Sequence, residues 1–173
     1  PLSVIGNNMA YLRKAYNETG GYVCMPFSVT EDSQLLAAIS KLKKYKIIYP
    51  LDKDTLIESI PVEGVISLYK QKKRWGIGGL NVPPHGLLVL GTAFFSHLLS
   101  VLILPFSLVT GLFAILTIVI ADLFFLGSIV HRMRQLYTLK YFPFFEIYYF
   151  IYIIFLPFIL LFSKSVEWKG RKF

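Results

Sequence analysis

Two apolar runs decide the fold of this chain: GLLVLGTAFFSHLLSVLIL at residues 86–104 and FSLVTGLFAILTIVIADLFFLGSIV at residues 106–130. A helix needs about 20 apolar residues to cross the roughly 30 Å hydrocarbon core of a membrane. The two runs hold 19 and 25 residues, and Asp122 is the one formal charge between residues 86 and 130. Each run is therefore predicted to form a membrane-spanning helix, with a turn near Pro105.

A third apolar run, PFFEIYYFIYIIFLPFILLF at residues 143–162, is rich in Phe and Tyr. Aromatic residues concentrate where a membrane meets water, so this run is predicted to be a transmembrane or interfacial helix. The basic loop HRMR at residues 131–134 is predicted to be cytoplasmic by the positive-inside rule. Three crossings would place the basic tail, residues 164–173, on the opposite side, although its four Lys and Arg residues favour the cytoplasm. The side of the tail stays open.

Composition narrows the class of protein. Of the 173 residues, 55% are hydrophobic and 16% are charged, whereas a soluble domain usually carries about a quarter charged residues. This excludes an ordinary soluble globular protein, a disordered protein and a nucleic-acid binder built on a basic patch. The single Cys24 excludes an intrachain disulfide framework. Because the chain begins at Pro1 without an initiator methionine, it is predicted to be part of a longer protein.

Residues 1–85 differ from the rest, since they hold 11 Lys and Arg and 7 Asp and Glu. Their pattern predicts a compact α/β segment that lies outside the membrane. The predicted elements are a helix at residues 9–18 stopped by Gly20-Gly21, a helix capped by Thr30, a strand at residues 46–49 and a helix at residues 63–75.

The string QKKRW at residues 71–75 offers the most informative polar chemistry. On a helix, Gln71, Arg74 and Trp75 share one face. A guanidinium fork suits a diphosphate, and an indole ring suits the apolar face of a sugar. The alternative is a basic helix on the membrane surface with Trp75 as its interfacial anchor, and spacing alone favours that alternative.

Two further polar strings have both a structural and a functional interpretation. Glu31 and Asp32 stand at a predicted helix start, where acids usually stabilise the helix dipole, but where a carboxylate can also serve as a general base. Asn7 and Asn8 precede a predicted helix and can cap it or bind hydroxyl-rich ligands.

Metal chemistry finds little support in the sequence. Asp52-Lys53-Asp54 has the Asp-x-Asp pattern that can hold a divalent cation, but its position before Thr55 favours a cap on a short helix. His97 and Asp122 interrupt apolar runs and can mark a polar path, although helix packing is the simpler explanation. No metal ligand is therefore predicted in this chain.

The order and spacing of these strings resemble the C-terminal half of membrane-bound family-2 glycosyltransferases. That group holds the cellulose, chitin and hyaluronan synthases and the ceramide glucosyltransferase-like enzymes. The likeness runs from Val4 to Gly79 through Thr-Glu-Asp at residues 30–32 and Gln-x-x-Arg-Trp at residues 71–75. The ending Glu-Trp-Lys-Gly-Arg at residues 167–171 is similar to that of members with lipid acceptors.

The resemblance implies a fold and a set of roles. Residues 1–85 would be the cytoplasmic, acceptor-site part of an α/β nucleotide-sugar transferase domain of A type, followed by a transmembrane region at residues 86–163. Asp32, with Glu31 beside it, would be the general base for an inverting transfer. The substrate-binding residues would be Gln71 and Arg74 for polar and phosphate contacts, Trp75 for stacking on the acceptor, and Asn7 and Asn8.

The resemblance also implies partners. These are a nucleotide-sugar donor, a lipid or polysaccharide acceptor and membrane lipid in the cell or inner membrane, with no nucleic acid. A divalent cation, Mg²⁺ or Mn²⁺, is expected in the complete enzyme but not on this chain, which is predicted to be inactive alone. The competing hypothesis is a non-catalytic membrane-anchored protein with a basic docking domain.

Overall fold

The computed structural model describes residues 2–80, 82–163, 165–168 and 171–172. Its main elements are α1 (Arg13–Glu18), α2 (Glu31–Lys41), α3 (Gly64–Gly79), α4 (Pro84–Ile103), α5 (Leu108–Arg132), α6 (Phe142–Phe162), β1 (Glu167–Trp168) and β2 (Arg171–Lys172). The chain divides into two compact units. The first unit comprises Pro1–Tyr49, Ile57–Leu87 and Ile159–Phe173, and the second comprises Pro50–Leu56 and Leu88–Phe158.

The predicted α/β class is wrong. In the described residues, β pairing is limited to β1 and β2, which run antiparallel with Glu167 opposite Lys172. Residues 46–49, predicted as a strand, pair with no strand among the residues that the structure describes. A strand depends on hydrogen bonds to a neighbour, and a short apolar run does not reveal whether a neighbour exists. Here the Tyr49 hydroxyl donates instead to the Ser3 carbonyl oxygen, at 2.7 Å.

The core of the first unit forms between α1 and α2. Leu35, Leu36 and Ile39 are buried along one face of α2, as their spacing predicted. Leu35 and Ile39 form a cluster with Ala15 of α1. The side chains packed around this cluster are Met9, Tyr16, Met25 and Tyr45. The apolar stripe of α2 therefore holds the first unit together.

Helix α1 is shorter than predicted, because it begins at Arg13 rather than at residue 9. Its predicted stop is confirmed: Gly20 and Gly21 have φ angles of 78° and 65°, a left-handed conformation that favours glycine. At the last residue of α1, Glu18 accepts a hydrogen bond from Lys44 at 3.1 Å. This hydrogen bond lowers the pKa of the Glu18 carboxyl from its ordinary value.

The start of α2 differs from the prediction at Thr30. No side-chain bond from Thr30 caps the helix. Its hydroxyl lies 3.3 Å from the Ser28 hydroxyl, and its backbone N–H donates to the same Ser28 oxygen at 3.1 Å. Glu31 and Asp32 occupy the first turn as predicted, so their charges are placed where the helix dipole favours acids.

Helix α3 continues past its predicted end at residue 75 and stops only at Gly79. Glycine usually weakens a helix, but here it permits a close approach. A Cβ atom at Gly78 would collide with the side chain of Thr30. Packing of α3 against the start of α2 therefore outweighs the low helix propensity of the glycines.

Helices α4, α5 and α6 coincide with the three apolar runs. The three segments Pro84–Ile103, Leu108–Arg132 and Leu136–Phe162 are each long and apolar enough to cross a membrane. The turn near Pro105 is present, and the Ser107 hydroxyl caps α5 by accepting from the N–H of Thr110 at 3.3 Å. The protein is thus built as a membrane protein.

The basic tail is described only in part. Lys164 and Lys169, two of the four basic residues of the tail, lie outside the described residues, as does Gly170 of the Trp-Lys-Gly-Arg ending. The side of the membrane on which the tail lies stays open.

Candidate active site

One cavity of about 490 Å³ lies within the first unit. Its walls come from three places in the sequence: the N-terminal segment, the start of α2 and the C-terminal half of α3. The polar side chains that line it are Ser3, Asn7, Thr30, Glu31, Asp32, Ser33 and Arg74, and Trp75 is its aromatic residue. Residues far apart in sequence thus meet around one space large enough for a small ligand.

Asp32 is held by backbone groups on both of its carboxylate oxygens. The Gly6 N–H donates to Oδ2 and the Ser33 N–H donates to Oδ1, each at 2.7 Å. A Cβ atom at Gly6 would lie 3.1 Å from Oδ2, so glycine lets the backbone approach this closely. A carboxylate has about four lone-pair positions. Each oxygen therefore retains capacity to accept from a hydroxyl in the cavity.

Arg74 joins α3 to the segment that precedes α2. Its Nη1 donates to the carbonyl oxygen of buried Val29 at 2.8 Å. The same side chain lines the cavity, where the carboxylates of Glu31 and Asp32 also lie. The cavity therefore combines one fixed positive charge with two acidic groups, an arrangement suited to a ligand with both anionic and hydroxyl parts.

Trp75 follows Arg74 and places its ring at the cavity. Trp75 is 37% exposed, and Lys72 Nζ lies 4.5 Å from its ring centroid in a cation–π contact. Partial burial lowers the pKa of the Lys72 ammonium from its ordinary value. Lys72 thus packs on Trp75 and helps to orient the ring.

Of the predicted site residues, Asn7, Glu31, Asp32, Arg74 and Trp75 line the cavity together. The Asn7 amide donates to the Ser59 hydroxyl at 2.5 Å. Two predicted residues are not part of the lining. They are Gln71, which is half-buried on α3, and Asn8, which is exposed.

Sequence reasoning missed the backbone groups that build the site. Gly6 supplies an N–H donor to Asp32, and Gly78 permits the contact between α3 and α2. Glycines directly before the Asn pair and after the Arg-Trp pair were the available signal, because glycine often marks a close backbone approach.

Asp52 of the Asp-x-Asp string caps a short helical turn, as predicted. The carboxylate of Asp52 accepts from the N–H of Thr55 at 3.2 Å and begins a single 3₁₀ turn, Lys53–Thr55. This use of Asp52 fits a cap and not a pair of ligands for a divalent cation.

Comparison with known protein families identifies the class of protein. The family model described as Glycosyl transferase family group 2 matches residues 1–163. The chain belongs to this family and is therefore a glycosyltransferase. Its three apolar helices are long enough to cross a membrane. No curated protein and no solved structure matches the chain.

Proposed function

We propose that the cavity of the first unit is the acceptor site of an inverting membrane glycosyltransferase. The enzyme transfers a sugar from a nucleotide-sugar donor to a hydroxyl of a lipid or polysaccharide. One observation carries the proposal: Asp32 at the start of α2 and Arg74 and Trp75 of α3 line a single cavity. Membership of the glycosyltransferase family supports it.

In this proposal Asp32 is the general base. The acceptor hydroxyl donates to its carboxylate, and the proton passes to Asp32 as the acceptor oxygen attacks the anomeric carbon. The bond from that carbon to the donor phosphate breaks, and the nucleotide diphosphate leaves with the bonding electrons. The N–H groups of Gly6 and Ser33 hold the carboxylate in position throughout. Glu31 adds a second acceptor for sugar hydroxyls.

Arg74 is proposed to contact the departing diphosphate, whose charge grows as the bond breaks. Its bond to the Val29 carbonyl fixes the direction of the guanidinium before the donor arrives. Trp75 offers an apolar ring surface to the acceptor, and Asn7 offers an amide to its hydroxyls. Gln71 and Asn8 lie outside the cavity lining. They are therefore proposed to add polar groups near the site without contacting the substrate.

No residue of this cavity is proposed to hold the Mg²⁺ or Mn²⁺ that accompanies a nucleotide diphosphate. The cavity offers two carboxylates, but Asp32 is bonded to two N–H groups through its two oxygens. Those bonds suit a base that accepts from a hydroxyl.

Replacement of Asp32 by Asn tests the function. In membranes that contain the complete protein, we expect Asp32→Asn to lower sugar transfer by about 10²–10⁴-fold, the usual loss for a general base. Donor binding, measured with a panel of nucleotide sugars, should stay close to that of the wild type. Asp54→Asn serves as the matched control, because Asp54 does not line the cavity. Transfer by Asp32→Asn within a few-fold of the wild type would remove Asp32 from the mechanism.

The first unit is further proposed to face the cytoplasm. A hairpin of α4 and α5 would return the chain to the side of the membrane on which the first unit lies. Arg132 ends α5 and Arg134 lies just beyond it, and the positive-inside rule places such basic residues in the cytoplasm. Labelling of intact cells with an impermeant thiol reagent, in a Cys24→Ser background, tests this. We expect Gln135→Cys to react only after permeabilisation and Phe106→Cys, in the exposed turn between α4 and α5, to react from outside. The reverse pattern would refute a cytoplasmic first unit, and Ser165→Cys would assign the tail.

A further inference from the structure

One His, Asp or Glu residue from each of the three apolar helices meets the other two in the second unit; two of the three are buried, and the Asp122 side chain is 32% exposed. They are His97 on α4, Asp122 on α5 and Glu146 on α6, and one ligand atom from each lies within 4.8 Å of the others. His97 is 4% exposed and Glu146 is 5% exposed. Ionisable residues at membrane depth are costly, and those that persist usually face a functional site.

Four polar atoms of this cluster lack hydrogen-bond partners in the described residues. In the described residues, His97 Nε2, Asp122 Oδ2 and both carboxylate oxygens of Glu146 are buried without one. The His97 Nε2–Asp122 Oδ2 distance is 3.8 Å, too long for a hydrogen bond. Buried polar groups are nearly always satisfied, so a group of such atoms facing one another indicates a missing partner.

The imidazole is oriented as a ligand. His97 Nδ1 lies 2.7 Å from the carbonyl oxygen of Ala93. A carbonyl oxygen only accepts, so Nδ1 carries a hydrogen, and Nε2 is the ring nitrogen that faces the Asp122 carboxylate; in the neutral ring Nε2 has a lone pair for a metal ion. A histidine that binds a metal almost always donates its other N–H in this way. The rings of Tyr149 and Phe150, at 5.5 and 4.5 Å between centroids, pack against the imidazole and hold its plane.

The charges of the cluster also call for a cation. If both carboxylates are ionised and the imidazole is neutral, the cluster carries a charge of −2, and α4 and α6 contain no Lys or Arg in their sequences to balance it. In α5 the basic residue Arg132 stands at the last position, ten residues beyond Asp122. A divalent cation would neutralise the cluster without leaving a charge among apolar side chains.

We propose that His97, Asp122 and Glu146 bind a divalent transition-metal ion, Zn²⁺ or Mn²⁺, that links α4, α5 and α6. One imidazole nitrogen and two carboxylate oxygens form a donor set suited to either ion. Metal–ligand bonds of about 2.0–2.2 Å place two ligand atoms at most about 4.4 Å apart. The ligand atoms of the three side chains lie within 4.8 Å of one another, so small side-chain rotations would bring them to this distance. This site is separate from the proposed acceptor cavity and does not depend on its function.

The second unit provides a path to the site. A groove of about 440 Å³ is lined by both His97 and Asp122, and the hydroxyls of Thr92 and Ser96 stand along it. Such an opening lets an ion reach the ligands and leaves positions on the ion for water.

Metal analysis of the purified chain in detergent tests the proposal. The Cys24→Ser background removes the only thiol. After removal of metal with EDTA and equilibration with Zn²⁺, we expect about one tightly held ion per chain by mass spectrometry. Glu146→Gln and Asp122→Asn, which keep the side-chain shape, should lower affinity by about 10-fold or more. His131→Asn and Asp52→Asn are matched controls outside the cluster and should bind as the parent does.

Two further measurements make the test independent of how well a variant folds. X-ray absorption of the Zn²⁺-bound parent should show nitrogen and oxygen ligands, and Zn²⁺ should raise its melting temperature. A parallel titration with Mn²⁺, followed by electron paramagnetic resonance, supports the proposal if Mn²⁺ binds instead. Absence of binding for both ions, or full binding by Glu146→Gln and Asp122→Asn, would overturn the proposal. The three side chains would then be stabilised by protons shared among them and not by a metal ion.

Discussion

Asp32 in the first unit and Glu146 in the second are both carboxylates on helices, yet their surroundings are opposite. Asp32 is half-buried, lines an open cavity and accepts two backbone hydrogen bonds. Glu146 is buried in an apolar helix, and neither of its oxygens has a partner in the described residues. Backbone groups thus stabilise the first carboxylate, whereas the second carboxylate needs a cation or a proton to offset its burial.

The same contrast holds for the neighbouring side chains. Around Asp32 lie Glu31 and Arg74, so the chain itself supplies a permanent positive charge beside the two acidic groups. Around Glu146 lie His97 and Asp122, which add acceptors and no permanent positive charge. The comparison shows that the first carboxylate lies among donors supplied by the chain, whereas the second lies among acceptors that the chain leaves without partners.

After the loss expected for Asp32→Asn, the next largest effect is expected at Arg74. If its fork contacts a diphosphate, Arg74→Lys should lower sugar transfer by about 10–100-fold, the value of a lost charged hydrogen bond. Lys72→Arg, on the same helix, should stay within about 3-fold of the wild type, because arginine also stacks on the Trp75 ring. A transfer assay on both variants makes the comparison. Equal losses would favour the interfacial-anchor interpretation of α3.

The next effect concerns the contact that builds the cavity. Gly78→Ala should destabilise the first unit by about 1–3 kcal/mol, because its Cβ atom collides with Thr30. Gly79→Ala is the matched control, since nothing lies within 4 Å of a Cβ atom there, and it should change stability by less than about 1 kcal/mol. Denaturant unfolding in detergent measures both. If the two variants proved equally stable, close packing of α3 on α2 would not hold in solution.

The smallest effect compares the two carboxylates directly. In metal-free protein, Asp32→Asn should lower the unfolding free energy by about 1 kcal/mol, because it weakens the bonds from Gly6 and Ser33. Glu146→Gln should raise it by a similar amount, about 1 kcal/mol, because it removes a buried charge without breaking a bond. Thermal unfolding in the presence of EDTA measures both signs. A decrease for Glu146→Gln would show that its carboxylate is satisfied without metal.

Much of the candidate site was predictable because its residues fall in short local strings. Glu31 and Asp32 are adjacent at a helix start, and Arg74 and Trp75 are adjacent on a basic helix. Gln71 shares their helix but not the cavity, since the direction of its side chain depends on how α3 packs. The predicted strand at residues 46–49 failed for a related reason, because strand formation depends on a partner elsewhere in the chain.

By itself, the sequence determined the three apolar helices and the glycine stop after α1, because length, hydropathy and backbone preference are local properties. Only the tertiary structure decided which polar residues meet. Arg74 bonds to Val29 across 45 positions, and His97, Asp122 and Glu146 stand on three different helices. Such meetings depend on the rotation and depth of each packed helix, which are set by contacts between surfaces and not by the order of residues along any one of them.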